Sequence, residues 1–404
     1  MNITDLNGKS IAIVGAHGRE GKAMQEALST YAPEAKITLR DRKDNAGYLE
    51  NLHPFDVVIK APGIPPYQEL TKLKNTLTNA TQIFFDSIPA EAVVIGVTGS
   101  KGKSTTASLI HTILAAAGKD ALLVGNIGDP AIAHIAEVTE STIVVAELSS
   151  FQLMQLTKSP HIAVVTSFFP EHLDYHGSID EYKNAKKAIC TYQTKDDTVF
   201  FFEGSDGALD IASTSKGTKK SYAKSDATVE INDTKLIGDH NLLNIAGATS
   251  VARSLGIDDE IITEAVRSFT GLPHRLFNLG THHDTLWIDD AISTTPDSTI
   301  AAIAATSPTT LIVGGKDRGL DFQALGLAID NSSIKTIIAM GESGPHILKT
   351  ITNSEISTHA DKTMKEAIAL AKDQKGTCLL SPASPSYDMY KSYEEKGGEF
   401  ASLI

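Results

Sequence analysis

The stretch "IGVTGSKGKSTTASLIHTIL", residues 95–114, decides the fold. An apolar, β-branched run leads into Gly99, Ser100, Lys101, Gly102, Lys103, Ser104 and Thr105, and a helical pattern follows. Gly99 and Gly102 let the backbone curl so that several N–H groups point inward and can cradle phosphate. Lys103 can then reach the terminal phosphates, and Ser104 or Thr105 can ligate Mg2+. The strict GxxxxGK[ST] spacing would need glycine at position 97, which is Val97, so the loop is a variant compressed around Gly99. The rival reading is a Gly/Ser loop that only caps a helix. Strand, loop and helix together predict an ATP or GTP site in an α/β unit.

Outward from this loop, short β-branched runs alternate with helical patterns, which predicts βαβ units around parallel sheets. Strands are expected at 10–15, 56–61, 92–99, 141–147, 161–167, 310–315, 334–340 and 377–382, with helices at 103–117, 180–191, 241–255, 297–306 and 362–372. Three domains are expected: 1–90, opening with the turn "GAHGREG"; 91–271, carrying the phosphate loop; and 272–404, another βαβ set. The polar stretch 204–237 reads as small strands and turns rather than βαβ.

A chain of 404 residues is too long for one ordinary core, and 41% hydrophobic with 21% charged residues is a globular balance. The net charge of −13 argues against nucleic acid, whose phosphates are bound by clustered Lys and Arg. Cys190 and Cys378 have no CxxC neighbour, which fits a reducing compartment and argues against a disulfide framework and a zinc site. With no signal-peptide pattern and no apolar run near 18 residues, the expectation is a cytoplasmic protein without a membrane partner.

Further motifs sit at strand ends, where α/β proteins bind ligands. Gly15, Gly18 and Gly21 have GxxGxxG spacing and place a helix N-terminus where it can face a phosphate. Glu147 follows the apolar run "IVVA" (143–146), where an acidic residue can hold the metal bridging β- and γ-phosphates. Glu171, His172, Asp174 and His176 crowd one loop, and the helix after it presents Lys183, Lys186 and Lys187. Arg275 in "GLPHR" and the asparagines of "GDHNLLN" are candidate adenosine contacts. "WIDDAISTTP", "GGKDRGLDF" and "SPASPSYDMYKSYEEKGGEF" each follow a strand and outline a substrate pocket.

Taken together and in order, these segments resemble the Mur ligase family over nearly the whole chain. "AELSSFQL", "GNIG", "FTGLPHR" and "LLSPASPSYDMYKSYEEKGGEF" look like the branch that joins glutamate to UDP-N-acetylmuramoyl-L-alanine. The resemblance implies an N-terminal Rossmann-like domain, a central P-loop ATPase with a mostly parallel sheet, and a C-terminal Rossmann-like domain. It implies ATP and two Mg2+ ions, an acyl-phosphate intermediate, and a role in peptidoglycan precursor synthesis. Lys103 and the loop amides would hold the triphosphate. Ser104 and Glu147 would hold one Mg2+, with His172 and a carbamylated Lys186 at the other. Asn126 would touch the muramoyl substrate, with Gly15 and Gly18 on its UDP moiety, and Asn244, Arg275 and Asp290 would embrace the adenosine. Thr294, Arg318, Ser386 and Tyr393 would form the glutamate pocket. A monomer is expected.

Several positions depart from the family pattern. Ser167-Phe168-Phe169 replaces the usual N-x-T, Ala291-Ile292 the usual Ser–Lys, Arg318 a lysine, and Ala61 a serine before Pro62-Gly63. Arg318 offers a planar bidentate grip where Lys gives a point charge, so the acceptor should carry a carboxylate. D-glutamate is favoured by the family, and L-glutamate stays open. Rival readings are another amide ligase of the Mur or folylpolyglutamate type, a nucleotide-switch regulatory protein, and an NAD-dependent dehydrogenase suggested only by the first Gly-rich turn.

Overall fold

The computed structural model describes residues 1–73, 76–126, 129–360 and 362–404. The chain packs into two compact units: residues 1–229 with 242–266, and 230–241 with 267–404.

The first unit contains two sheets. β1 (Ser10–Val14), β2 (Lys36–Arg40), β3 (Val57–Lys60) and β4 (Leu77–Thr78) form a parallel sheet in the order β2-β1-β3-β4. β5 (Val93–Thr98), β6 (Ala121–Gly125), β7 (Ile143–Glu147), β8 (Ile162–Val165), β9 (Thr198–Phe202) and β10 (Thr218–Tyr222) form a second, also parallel, in the order β10-β9-β8-β5-β7-β6. Central strands are apolar on both faces because helices cover both sides, so they read as runs rather than alternations. Helices α1 (Arg19–Tyr31), α2 (Lys103–Ala116), α3 (Ile179–Thr191) and α4 (His240–Ser254) are among them. One continuous core runs from Ile11 and Ile13 through Phe84 and Phe85 to Val144, Val165 and Ile211, so the two sheets share a hydrophobic interior.

The second unit holds a sheet of β11 (Phe277–His282), β12 (Thr285–Asp289), β13 (Thr310–Val313), β14 (Thr336–Ala339), β15 (Ser357–His359) and β16 (Gly376–Leu380). Their order is β11-β12-β16-β13-β14-β15, with β11 antiparallel to β12 and the rest parallel. Side chains alternate faces along a strand. Leu311, Val313, Ile337 and Ala339 therefore enter one core, while Ile312 and Ile338 join Trp287 and Phe400 in another. The terminal helix α5 (Tyr393–Leu403) is capped by Ser392, whose side chain accepts from the Glu395 N–H.

The expected strands and helices fall within a few residues of the observed ones. The stretch 204–237 is a correction. Its first part is a helix, Asp206–Ser213, leading to β10, which lies parallel to β9 and completes a βαβ unit. β10 reads "TKKSY" and only Tyr222 is buried, because an edge strand needs no continuous apolar run. The antiparallel β11–β12 hairpin, tightly joined through His283 and Asp284, also departs from the βαβ set expected for residues 272–404.

Candidate active site

The phosphate loop leaves the C-terminal end of β5, and α2 begins at Lys103. Gly99 has φ +148° and Gly102 φ +87°, conformations that L side chains rarely adopt. A Cβ at Gly102 would stand 2.3 Å from Asn244 Oδ1, and one at Gly99 2.0 Å from Thr166 Oγ1. Both positions therefore require glycine for conformation and for space.

Hydrogen bonds fix the rest of the loop. The Ser100 N–H donates to the Ser167 carbonyl at 2.8 Å, and the Lys101 N–H to Ser167 Oγ at 3.1 Å. Thr166 Oγ1 donates to the Lys101 carbonyl at 2.6 Å. Ser100 Oγ donates to the Phe169 carbonyl at 2.8 Å and lies 3.1 Å from the Tyr182 hydroxyl. Lys103 Nζ curls over the loop, donating to the carbonyls of Gly99 at 3.0 Å and Ser100 at 2.8 Å. Lys101 Nζ pairs with Glu171 at 2.7 Å. Ser104 and Thr105 occupy the first turn of α2.

Two buried groups flank this loop. Glu147, 1 % exposed, ends β7, the strand beside β5. Its Oε1 accepts from Asn126 Nδ2 at 3.1 Å, while its buried Oε2 has no hydrogen-bond partner among the described residues. Lys186 projects from α3, 1 % exposed, and donates to the Gly99 carbonyl at 2.8 Å. Burial, with repulsion from Lys103 adding to it, holds the Lys186 amine well below the ordinary lysine range, against the pull of Glu171 and Glu147. Its Nζ also lies 4.6 Å from the centroid of the Tyr182 ring.

His172 precedes the short helix Leu173–His176 and has φ +55°. Burial lowers its pKa. Phe151 packs against this turn, its ring centroid 5.0 Å from His172, 4.2 Å from Tyr175 and 5.5 Å from His176. His176 is the more deeply withdrawn, pushed down to about 4 chiefly by burial, with Nε2 3.0 Å from Ser150 Oγ. Where the family's N-x-T is replaced, Ser167 supplies polar contacts to Lys101, and the Phe169 side chain is exposed.

The fold thus brings residues 99–105, Asn126, Glu147, His172, Lys186 and Asn244 together around the C-terminal ends of strands β5 to β8 in the first unit. Ile127 and Gly128 of "GNIG" lie outside the described residues. Gly15 closes β1, its N–H donating to the Arg40 carbonyl at 2.8 Å, and Gly18 caps α1.

The remaining candidates belong to the second unit. Asp290 is buried, accepting from Ser381 Oγ at 2.8 Å and the Leu276 N–H at 3.2 Å, and burial pushes it up to about 6. Arg275 is exposed, and its charge acts on Asp290. Thr294 is half-buried after β12. Ser386 is buried with no partner for its hydroxyl among the described residues, Arg318 is exposed with its guanidinium 5.8 Å from the Tyr387 ring centroid, and the Tyr393 ring lies 6.0 Å from His274. Asp290 and Tyr393 flank a pair the sequence did not reveal: His274, half-buried, places Nδ1 2.6 Å from Oδ2 of the buried Asp289. Tyr182, Thr166 and Phe151 carry no motif in the sequence either: only contacts of the folded chain, Tyr182 and Thr166 with the phosphate loop and Phe151 with the His172 turn, distinguish them.

Among the described residues no three His, Cys, Asp or Glu side chains gather as a metal cluster, and no helix is long and apolar enough to cross a membrane. The Mur ligase middle domain matches residues 97–207. UDP-N-acetylmuramoylalanine–D-glutamate ligase of Acetivibrio thermocellus is 33% identical over 396 residues, covering 89% of this chain and 84% of that one. The enzyme of that name from Streptococcus pyogenes serotype M4 is 32% identical over 447 aligned positions, covering 100% and 98%. Among solved structures, UDP-N-acetylmuramate-alanine ligase MurC from Thermotoga maritima superposes with a TM-score of 0.63 at 19% identity, covering 98% of each chain. MurF ligase from Thermotoga maritima, in complex with ADP, superposes with a TM-score of 0.58 at 15% identity, covering 100% of this chain and 96% of that one. Similarity of a third of all positions over the full length, with the phosphate loop inside the matched middle domain, places this α/β chain: it belongs to the Mur ligase family.

Proposed function

We propose that this protein joins D-glutamate to UDP-N-acetylmuramoyl-L-alanine with cleavage of ATP to ADP and phosphate, in the cytoplasmic synthesis of peptidoglycan precursors. The observation that carries the reading is the pair of buried groups, Glu147 and Lys186, set on either side of a lysine-bearing phosphate loop. The names of full-length relatives supply the substrate class.

A carboxylate is a poor acylating agent, so the alanine carboxylate first takes the γ-phosphoryl group of ATP. The glutamate amine then attacks the acyl phosphate, and phosphate leaves from the tetrahedral intermediate. No enzyme nucleophile is needed, and catalysis is positioning plus electrostatics. Lys103 would exchange its two loop carbonyls for phosphate oxygens, and the amides of residues 99–105 would hold the chain of phosphates.

The residues present fit Mg2+, because a buried carboxylate oxygen without a donor among the described residues, Glu147 Oε2, suits a cation. Ser104 and Glu147 would hold one ion, with His172 and Lys186 serving a second. Bound Mg2+ supplies charge neutralisation on the transferring phosphoryl group. The low basicity of Lys186 leaves its amine able to add CO2, losing a proton and becoming a carbamate with a carboxylate's charge. Asn126 would face the muramoyl substrate, Asn244, Arg275 and Asp290 the adenosine, and Thr294, Arg318, Ser386 and Tyr393 the glutamate. Gly15 and Gly18 would serve the UDP moiety. The domain division 1–90, 91–271 and 272–404 and a monomeric state complete the proposal.

Phosphate release with ATP, Mg2+ and UDP-N-acetylmuramoyl-L-alanine tests it, with D-glutamate, L-glutamate or no amino acid added. Release that depends on D-glutamate is expected. Release with L-glutamate alone would reverse the handedness, and nucleotide binding without amino-acid-dependent release would favour a switch protein.

A further inference from the structure

Lys60 is a second buried lysine of the first unit, and nothing in the proposed chemistry uses it. It ends β3 with 1 % exposure. Its Nζ donates to the Ile64 carbonyl at 2.8 Å and to the Tyr175 hydroxyl at 3.0 Å, with the Ala61 carbonyl at 3.4 Å. Tyr175 Oη in turn stands 2.7 Å from the carbonyls of Pro62 and Ile64, and its single proton serves one of them at a time. The segment leaving the first sheet is therefore stitched to the helical turn Leu173–His176 of the second.

That turn carries His172. The N–H groups of Tyr175 and His176 both donate to the His172 carbonyl, at 3.1 and 2.9 Å. His172 itself is in the left-handed region at φ +55°, a conformation costing a non-glycine residue roughly 1–2 kcal/mol. Such a residue persists only where its surroundings over-determine it. Phe151 supplies the apolar side of that constraint, and the Lys60–Tyr175 contact supplies the polar side. Among the described residues no carboxylate pairs with Lys60. Glu20 acts on it through space, with its Oε1 engaged by Gln152 and its Oε2 without a partner among the described residues. Burying an ammonium without a paired acid is costly, and here the ammonium is satisfied by donating to three oxygens of the joint.

We propose that Lys60, acting through the Tyr175 hydroxyl, is a positioning residue that holds His172 in place for the ligase reaction. The assignment rests on the function proposed above, since it gives His172 a task in that reaction. Partners that orient a metal-ligating histidine change metal affinity or activity by about 10–100-fold.

The test uses Lys60→Met, which keeps the apolar stem, and Tyr175→Phe, which keeps the ring. Lys158→Met is the control, because Lys158 also donates to a carbonyl within this unit, that of Phe85 at 3.1 Å, but does not touch the His172 turn. Two quantities are read: kcat and KM for ATP from phosphate release, and Mn2+ affinity by electron paramagnetic resonance with an unreactive ATP analogue. Expected in Lys60→Met and Tyr175→Phe are a kcat about tenfold or more lower, an ATP KM within about threefold, and Mn2+ binding weakened about tenfold. The double variant should be no worse than the poorer single one, because both remove one contact chain. If Lys60→Met does not fold, Tyr175→Phe carries the test alone. Wild-type kcat and Mn2+ affinity in the variants, or an equal fall in Lys158→Met, would overturn the proposal. Failure of the unmodified protein to release phosphate with glutamate would instead strike the ligase reading, and the Mn2+ measurement would still judge Lys60.

Discussion

Lys186 and Glu147 show how little of a residue's chemistry its letter carries. A lysine on a helix normally reads as part of a solvated face, but α3 turns this one inward, onto the Gly99 carbonyl. Glu147 keeps one carboxylate oxygen without a donor among the described residues. Replacing Glu147 with Gln should lower turnover roughly a hundredfold and raise the Mg2+ concentration needed for half-maximal phosphate release. An unchanged Mg2+ dependence would remove Glu147 from the metal site. His176 makes a separate prediction. Its folded pKa, about 4, lies below the ordinary histidine value of 6.5. Between those two values the unfolded chain binds a proton that the folded one refuses, so this group's contribution to stability falls as pH drops through the window. The melting temperature should therefore decline less steeply from pH 7 to 5 in His176→Phe than in the unmodified protein. Identical slopes would contradict the burial of a neutral imidazole.

At the scale of elements, the strand–loop–helix unit of residues 93–116 was legible because its signals are local. Glycine marks the turns, the lysine and hydroxyls mark the ligand, and β-branched residues mark the strand. Gly102→Ala should cost about 1–2 kcal/mol from backbone conformation alone, with the clash against Asn244 adding to it. A melting temperature lowered by a few degrees or more, together with ATP binding at least about tenfold weaker, is the expected calorimetric result. Unchanged binding would show that the loop is not held in this shape. Polar edges were less legible. β10 exposes four of its five residues, so it lacks the apolar pattern by which strands are read. The contacts that complete the site were least legible: Lys60 reaches Tyr175 across 115 residues and Ser100 reaches Tyr182 across 82. A lysine at the end of "VVIK" looks like a strand terminus entering solvent, and only the packed structure shows otherwise.

At the scale of the whole molecule, α/β architecture followed from the alternation of apolar runs and helical patterns, whereas strand order did not. The order β10-β9-β8-β5-β7-β6 depends on which crossovers pack together, information spread over the chain. Each unit has its own apolar core, so ligand stabilisation should be uneven. An unreactive ATP analogue with Mg2+ at about a hundred times its Kd adds about 2.7 kcal/mol to whatever unfolds with the site. Hydrogen exchange should slow most in residues 93–116 and 143–191, and protection confined to the second unit would contradict the placement of the phosphate loop. The most direct test of the account is to recover the product after incubation with ATP, Mg2+, UDP-N-acetylmuramoyl-L-alanine and isotopically labelled D-glutamate. The account predicts one labelled amide product for each ADP and each phosphate formed. Hydrolysis of ATP without incorporation of label, or incorporation only from L-glutamate, would contradict it.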